Sequence, residues 1–279
     1  MPIHREGYRR YGGSREFRGR AWAVIAASGI RAMLRRRGFV VLLVLAWAPF
    51  VVRAVQTYVA STLPQASFLA IGSRTFREFF DQQGLIVFFV TMYAGAGLIA
   101  GDARTNALQI YLSKPLTRTE YLAGKLGVLM TFLLFVTWAP AMLLLLLQAM
   151  FAGNFTFVRG NLFLIPAIAL FSLVQTVVIS FTMLALSSLS KNGRFVAATY
   201  AGFLFFTEAL FGVIRGVTRQ TAASWMSPSA SLSQVGDVIF RLHARYDTPV
   251  VLSFAMLMGL VAVSIAVLER RVRAVEVVT

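Results

Sequence analysis

The chain is predicted to be an all-α integral membrane protein, in which an N-terminal amphipathic helix precedes six membrane-crossing helices. Three observations predict this. Hydrophobic residues make up 58% of the 279 residues and charged residues only 14%, where soluble domains average about a quarter charged. Six apolar runs of membrane-crossing length alternate with short polar intervals. Of the 27 basic residues, nineteen fall on the side that carries both termini, seven fall on the other side, and Arg53 lies within a run. This positive-inside bias puts both termini in the cytoplasm.

The net charge of +16 raises the question of a nucleic-acid partner. Ten arginines, from Arg5 to Arg37, precede the first span. Basic residues beside a span orient it and attract anionic lipid. No platform of alternating aromatic and basic residues is present for stacking bases, so the lipid bilayer is the expected partner and nucleic acid is not. The 24 phenylalanines suit lipid-facing surfaces, and the absence of cysteine excludes disulfide and thiolate chemistry.

Residues 1–14 are read as a disordered basic cytoplasmic tail. Over 15–37, Trp22, Ile25, Ala26, Gly29, Ile30 and Met33 recur at helical spacing, with arginines on the other face and at both ends. That pattern predicts an amphipathic helix lying in the membrane interface. The first apolar run starts only at Gly38, which reads as a retained anchor and not a cleaved signal. A six-helix transmembrane domain is expected over 38–268, followed by a basic cytoplasmic tail over 269–279.

Span one is read at 39–58, interrupted by Pro49 and Arg53. At ~1.5 Å per residue, Arg53 sits roughly 20 Å from the inner edge. Residues 61–83 read as an outer loop that hugs the membrane through Phe68, Phe76, Phe79 and Phe80. Span two, at 84–100, ends in Gly95, Gly97 and Gly101; the GxxxG spacing of Gly97 and Gly101 predicts close helix packing there. Span three is read at 126–150, with a kink at Pro140. Span four is read at 162–189, with Gln175 and Thr176 as its polar interior. Span five is read at 195–214 and contains Glu208, again roughly 20 Å deep. Span six is read at 248–268. The outer segment 215–247 is predicted to hold short helices, with Leu232, Val235, Ile239 and Phe240 on one side.

The interval 101–125, GDARTNALQIYLSKPLTRTEYLAGK, organises the chain. Leu108, Ile110, Tyr111 and Leu112 form one apolar cluster, and Pro115 breaks the segment. Thr117 with Glu120 three residues later predicts a capping box. Two short helices held at a bilayer surface make a knob on which a soluble partner can push.

The run Leu108-Gln109-Ile110-Tyr111-Leu112-Ser113-Lys114-Pro115-Leu116-Thr117-Arg118, followed by Gly124-Lys125, resembles the loop between spans two and three of ABC-2 type transporter permeases. Asp102 stands where that family carries an acidic residue, whereas Arg104-Thr105-Asn106 occupies the place of its Gly-Thr pair. The resemblance covers this loop, together with topology and length. It implies an ABC-2 (type V exporter-like) architecture, with the amphipathic helix as the elbow helix, in a bacterial inner membrane. It further implies export of a hydrophobic or amphiphilic substrate and a second permease copy or paralogue. The ATP and Mg would be bound by a separate ATPase subunit dimer. Asp102, Thr105, Leu108, Tyr111, Leu112, Ser113, Pro115 and Arg118 would form the ATPase-coupling loop. Leu108, Tyr111 and Leu112 would pack in a groove of the ATPase, while Arg118 and Asp102 set charge register. The other reading of each is packing against the inner ends of the chain's own spans.

The chain has no Walker A pattern, since Gly124-Lys125 is followed by leucine. HExxH and GxSxG are absent, and His4 and His243 are expected on opposite sides of the membrane. No catalytic residue, metal or cofactor is therefore expected in this chain. Asp81, Asp237 and Asp247 read as scattered over the outer surface. Arg53, Gln175 and Glu208 are the candidates for an intramembrane polar path. Arg53 and Glu208 would pair with each other, face water and substrate, or snorkel separately. Two other classes of function are an assembly that transmits force or signal to extracytoplasmic partners, and an ATP-independent channel or carrier. The last would have a single acid and a single arginine for its relay.

Overall fold

A computed structural model describes residues 21–62, 72–107, 117–151 and 160–273. Every regular element among them is helical. Six helices are long and apolar enough to cross a membrane: Arg37–Thr62, Ser73–Arg104, Arg118–Phe151, Leu164–Leu189, Gly193–Thr218 and Val250–Arg271. They are spans one to six. Six crossings bring both ends of the bundle to one face, the terminal face, which also carries the interval between spans two and three. The expected N-terminal tail, the C-terminal end from residue 274 and the loop residues 108–116 lie outside the described residues.

The helix Ala21–Leu34 packs along the first half of span three. Its small residues permit a close approach. A Cβ on Gly124 would lie 2.7 Å from Ile25 Cβ and 3.0 Å from the Trp22 carbonyl, and one on Gly29 would lie 2.6 Å from Val128 Cγ2. The apolar stripe expected to face the bilayer interface is therefore turned partly onto span three: Ala26 and Met33 are buried, while Trp22 is exposed.

Spans one and three are both broken in mid-course, each just before a proline. Span one consists of Arg37–Leu45 and Ala48–Thr62, with Pro49 in the first turn of the second piece. Span three consists of Arg118–Val136 and Trp138–Phe151, interrupted at Thr137 ahead of Pro140. Proline has no N–H for the carbonyl four residues back, so Pro140 cannot serve Val136. Gln83, fully buried on span two, fills the gap: its Nε2 donates to the Val136 carbonyl at 2.8 Å and to the Ala46 carbonyl, at the break in span one, at 3.2 Å. One amide thereby fastens both breaks to span two.

Span two starts at Ser73, so the segment 73–83, expected as an outer loop, is the outward continuation of the helix. Thr75, Phe76, Phe79, Phe80, Gln83, Val87, Val90 and Ala94 follow one another on a buried face at helical spacing. The pairing of polar residues within the bundle outweighs the low hydropathy of this segment. Towards the terminal face the helix is interrupted at Ala96–Ile99 and resumes at Ala100–Arg104. Ser187 of span four serves this break: its Oγ donates to the Ala96 carbonyl at 3.0 Å and accepts from the N–H groups of Ile99 and Ala100, each at 3.1 Å. A Cβ on Gly97 or Gly101 would meet nothing within 4 Å, although the start of span five comes close to the Gly97 backbone, where a Cβ on Gly193 would lie 3.5 Å from Gly97 Cα. The tightest approach in this stretch is at Gly95, where a Cβ would lie 2.5 Å from Met183 Cγ.

Spans two, three and four form the centre, with 50%, 56% and 50% of their apolar windows buried, against 22%, 11% and 22% for spans one, five and six. The core has two main layers, beside a smaller cluster of Val178, Val235, Leu257 and Val261. Towards the terminal face, Phe39, Val87, Val90, Leu129, Phe132, Leu133 and Met183 pack together. Towards the opposite face, Phe76, Phe80, Leu144, Ile168, Phe171 and Phe240 do so. Phe39 meets Phe132 edge-on at 4.7 Å and Phe80 meets Phe171 edge-on at 4.9 Å.

Gln83→Leu removes the donor from two buried carbonyls and is expected to destabilise the chain by about 2 kcal/mol. The readout is the thermal-unfolding midpoint of the detergent-solubilised chain. In a Pro140→Ala background an N–H is available to Val136 again, so the same substitution should cost less. Equal losses in the two backgrounds would count against the role assigned to Gln83.

Candidate functional site

The opposite face is closed by a charge cluster built from three elements. Arg77 and Asp81 lie four apart on span two, so they share one helix face, and Arg77 Nη1 meets Asp81 Oδ1 at 2.8 Å. Asp237 comes from the outer helix Pro228–Ile239. Arg245 lies on the link from that helix to span six, and it grips Asp237 with both Nε (2.7 Å) and Nη2 (2.9 Å). Its Nη1 donates to Asp81 Oδ2 at 3.1 Å. Arg77 Nε faces Asp237 Oδ1 at 3.2 Å without pointing its hydrogen along that line. The Arg77 guanidinium also lies 4.9 Å from the centre of the Phe171 ring. Gly236 leaves the necessary room, since a Cβ there would sit 2.7 Å from both Arg77 Nε and Phe171 Cε2.

Two arginines and two aspartates make the cluster formally neutral, which a buried ionic group needs. Burial opposes the charge of Arg245, but the hydrogen bonds and charges of Asp237 and Asp81 outweigh it and raise its pKa above the ordinary arginine value. Asp81 and Asp237, expected to be scattered, are brought together by a fold in which the outer helix tucks into the bundle.

The outer helix bears out the apolar side read from Leu232, Val235, Ile239 and Phe240, but its polar side is buried as well. Gln234 Nε2 donates to the carbonyls of Tyr246 (3.1 Å) and Thr248 (2.8 Å). Ser227 caps the helix by accepting from the Ala230 N–H at 3.2 Å, and its hydroxyl donates to Glu208 at 2.5 Å.

Arg53 and Glu208 therefore do not pair within the chain. Glu208 is exposed on span five and anchors the start of the outer helix. Arg53 is buried and bonds to Gln56 (2.9 Å), Gln82 (3.2 Å) and Glu78 (3.3 Å). Glu78 and Gln82 are four apart on the outward continuation of span two, and Glu78 also accepts from Arg74 at 2.9 Å. Taking 73–83 for a loop hid these partners; the i, i+4 run Arg74, Glu78, Gln82 was the signal for them.

Beneath the charge cluster lies a cavity of about 200 Å³, walled by spans two, four and five with Leu260 of span six, and covered by the outer helix. Gln175 of span four lines it, buried to 7% exposure, and its Oε1 has no hydrogen-bond partner. Of the three predicted path residues, Gln175 alone borders this cavity.

At the terminal face, Thr117 and Glu120 form the expected capping box: the Glu120 N–H donates to Thr117 Oγ1 at 3.3 Å, and the Thr117 N–H to Glu120 Oε2 at 3.0 Å. The helix so started is not a separate short one, as expected within 101–125, but runs on unbroken into span three. Asp102 is engaged inside the chain, 2.6 Å from Lys125 Nζ and accepting from the Tyr121 hydroxyl at 2.8 Å. It ties the end of span two to the start of span three. Thr105 bonds back to the Gly101 carbonyl at 3.1 Å, and Asn106 has a left-handed backbone (φ 52°). Arg118 borders a second, largely apolar cavity of about 410 Å³ between spans three, four and six. Leu108, Tyr111, Leu112, Ser113 and Pro115 lie outside the described residues.

Asp237, at 2% side-chain exposure, is shared by both arginines, whereas Asp81 is 36% exposed. Asp237→Asn should accordingly cost about 3 kcal/mol, and Asp81→Asn about 1 kcal/mol or less. Comparison of their thermal-unfolding midpoints checks this; similar losses would place the burden of the cluster elsewhere.

No protein-family model matches the chain, and no curated protein matches it in sequence.

Proposed function

We propose that the chain is the permease subunit of an ABC-2 type transporter, sits in a bacterial inner membrane with its terminal face in the cytoplasm, and exports a hydrophobic or amphiphilic substrate. The observation that carries the reading is the loop Leu108-Gln109-Ile110-Tyr111-Leu112-Ser113-Lys114-Pro115-Leu116-Thr117-Arg118, placed between the second and third of six candidate spans. The helix Ala21–Leu34 ahead of span one suits the elbow position. The left-handed Asn106 supports the loop comparison as well, because asparagine tolerates the backbone conformation that glycine supplies most readily.

The loop joins two helices that are fixed to each other at its base. Through Asp102, Lys125 and Tyr121, a force on the loop reaches spans two and three together. In this reading Asp102 is a positioning residue for the loop, and contact with the ATPase falls to Leu108, Tyr111, Leu112 and Arg118. ATP and Mg belong to the ATPase dimer. A second permease copy or paralogue would cover part of span five, where Phe205, Phe206 and Val213 are exposed.

The chain, solubilised from its native membrane and captured, should bring down a Walker-type ATPase in stoichiometric amount. Leu112→Asp with Arg118→Glu should abolish that recovery without loss of the folded chain, whereas Asp102→Asn should lower its thermal stability first. Recovery of the chain alone in every detergent would sink the permease reading and favour a channel or carrier.

A further inference from the structure

We propose that the groove between spans three, four and six at the terminal face holds a phospholipid with a phosphoethanolamine head group. The groove has a volume of about 410 Å³. Most of its wall is apolar: Leu122 and Leu126 of span three, Phe181 and Leu184 of span four, and Ile265 and Leu268 of span six. Its polar lining residues, Arg118, Thr119 and Glu269, all lie at one end, where span three starts and span six finishes.

This layout fits a lipid of the leaflet at the terminal face. At ~1.5 Å per residue, Leu126 lies about 12 Å along the helix from Arg118, and Ile265 about 6 Å from Glu269. Half of a ~30 Å hydrocarbon core is about 15 Å, so the groove stays within one leaflet. Ala123 and Ile265 on its lining are exposed, so it opens on the outside of the bundle, where lipid enters from the side. An acyl chain laid in the groove covers apolar surface, and its head group rests on the polar end.

The charges select the head group. Among the described residues, Arg118 and Glu269 are the charged pair on the lining. Arg270 and Arg271 follow Glu269, but ~100° of rotation per helical residue carries them off the groove. One cation and one carboxylate match a head group that itself carries a phosphate and an ammonium. Arg118 meets the phosphate, and Glu269 accepts hydrogen bonds from the ammonium. A phosphoglycerol head brings a phosphate but no cation for Glu269. A phosphocholine head has the same charges, but its quaternary ammonium has no N–H to donate. A guanidinium has five N–H donors, so a phosphate on Arg118 leaves others for the loop and the ATPase. The inference needs only that the six helices cross a bilayer, so it stands or falls independently of the permease reading.

Three phospholipids with the same diazirine-bearing acyl chain test the proposal, differing only in their phosphoethanolamine, phosphocholine or phosphoglycerol heads. Each is added in trace to the full chain in phosphatidylcholine nanodiscs, and the labelled residues are mapped by mass spectrometry. The phosphoethanolamine lipid should label Leu126, Phe181 and Leu184 roughly five-fold more than either other lipid, the advantage expected of one hydrogen bond. Val44, exposed on span one at similar depth, reports lipid at the general surface and should not discriminate. Glu269→Ala should bring the phosphoethanolamine lipid down to the phosphocholine level in the groove and leave Val44 unchanged. Arg118→Ala should lower groove labelling by all three lipids, and so should Ala123→Trp, which fills the groove. Equal groove labelling by the three lipids in the unmodified chain, or a preference that survives Glu269→Ala, overturns the proposal. Strongest groove labelling by the phosphoglycerol lipid overturns it too, as does groove labelling that Ala123→Trp leaves unchanged.

Discussion

The architecture depends on the side-chain amide of Gln83. Within a bilayer, a carbonyl that loses its helical N–H has no water to turn to, so a broken span is stable only where a neighbour supplies a donor. Spans one and three are both broken at prolines, and both present a carbonyl to the same two hydrogens. Each break permits a bend, and each is immobilised against span two. The central position of span two follows from this, as does the separation of the core into a layer on each side of the breaks. Ser187 does for the break in span two what Gln83 does for the other two, with one hydroxyl serving three backbone groups.

Charge is arranged by the same logic. On the opposite face, Arg77, Asp81, Asp237 and Arg245 neutralise one another across span two, the outer helix and the link to span six. At the terminal face, Asp102 and Lys125 join spans two and three. Arg53 and Glu208 are each satisfied close to the opposite face by residues of adjacent elements, so neither stands as an isolated charge in hydrocarbon. Of Arg53, Gln175 and Glu208, Gln175 alone lines the cavity between the spans; its Oε1 is buried without a hydrogen-bond partner, as is Nε of Arg77 on the same lining.

Much of the fold was legible in the sequence, because hydropathy and proline placement act locally. The six spans, the break at Pro140, the capping box of Thr117 and Glu120 and the apolar side of the outer helix all follow from residues close together in the chain. The outward part of span two did not follow from hydropathy, since Arg74, Arg77, Glu78, Asp81, Gln82 and Gln83 make 73–83 polar on average. Its helical periodicity was nonetheless present in Phe76, Phe79, Phe80 and Gln83, and a reading weighted to periodicity over mean hydropathy would have extended the helix. The glycine packing went astray for a related reason. Spacing identifies glycines that share a face, but only the partner helix decides which of them is approached, and Met183 of span four comes down on Gly95. The partnership of Asp81 with Asp237 joins residues 156 positions apart and has no local signature.

The satisfied breaks bear on how the bundle could move. A helix with an intact hydrogen-bond ladder resists bending along its whole length, whereas a break held by side-chain bonds concentrates deformation at one point. Spans one, two and three each have such a point, and all three are fastened through two side chains, Gln83 and Ser187. A displacement applied at the base of the loop between spans two and three would pass along Ala100–Arg104 to the Ser187 break, and along Arg118–Val136 to the break that Gln83 holds. Beyond the second point, span two continues to Asp81 and Arg77, which grip the outer helix over the Gln175 cavity. The path from the loop to the cover of that cavity thus runs through packed helix and named hydrogen bonds throughout, with two places where it can yield. Spans five and six, which bury few of their residues, offer the least resistance to a change in the position of the outer helix. In such an arrangement the charge cluster sets the cost of moving the outer helix off the cavity.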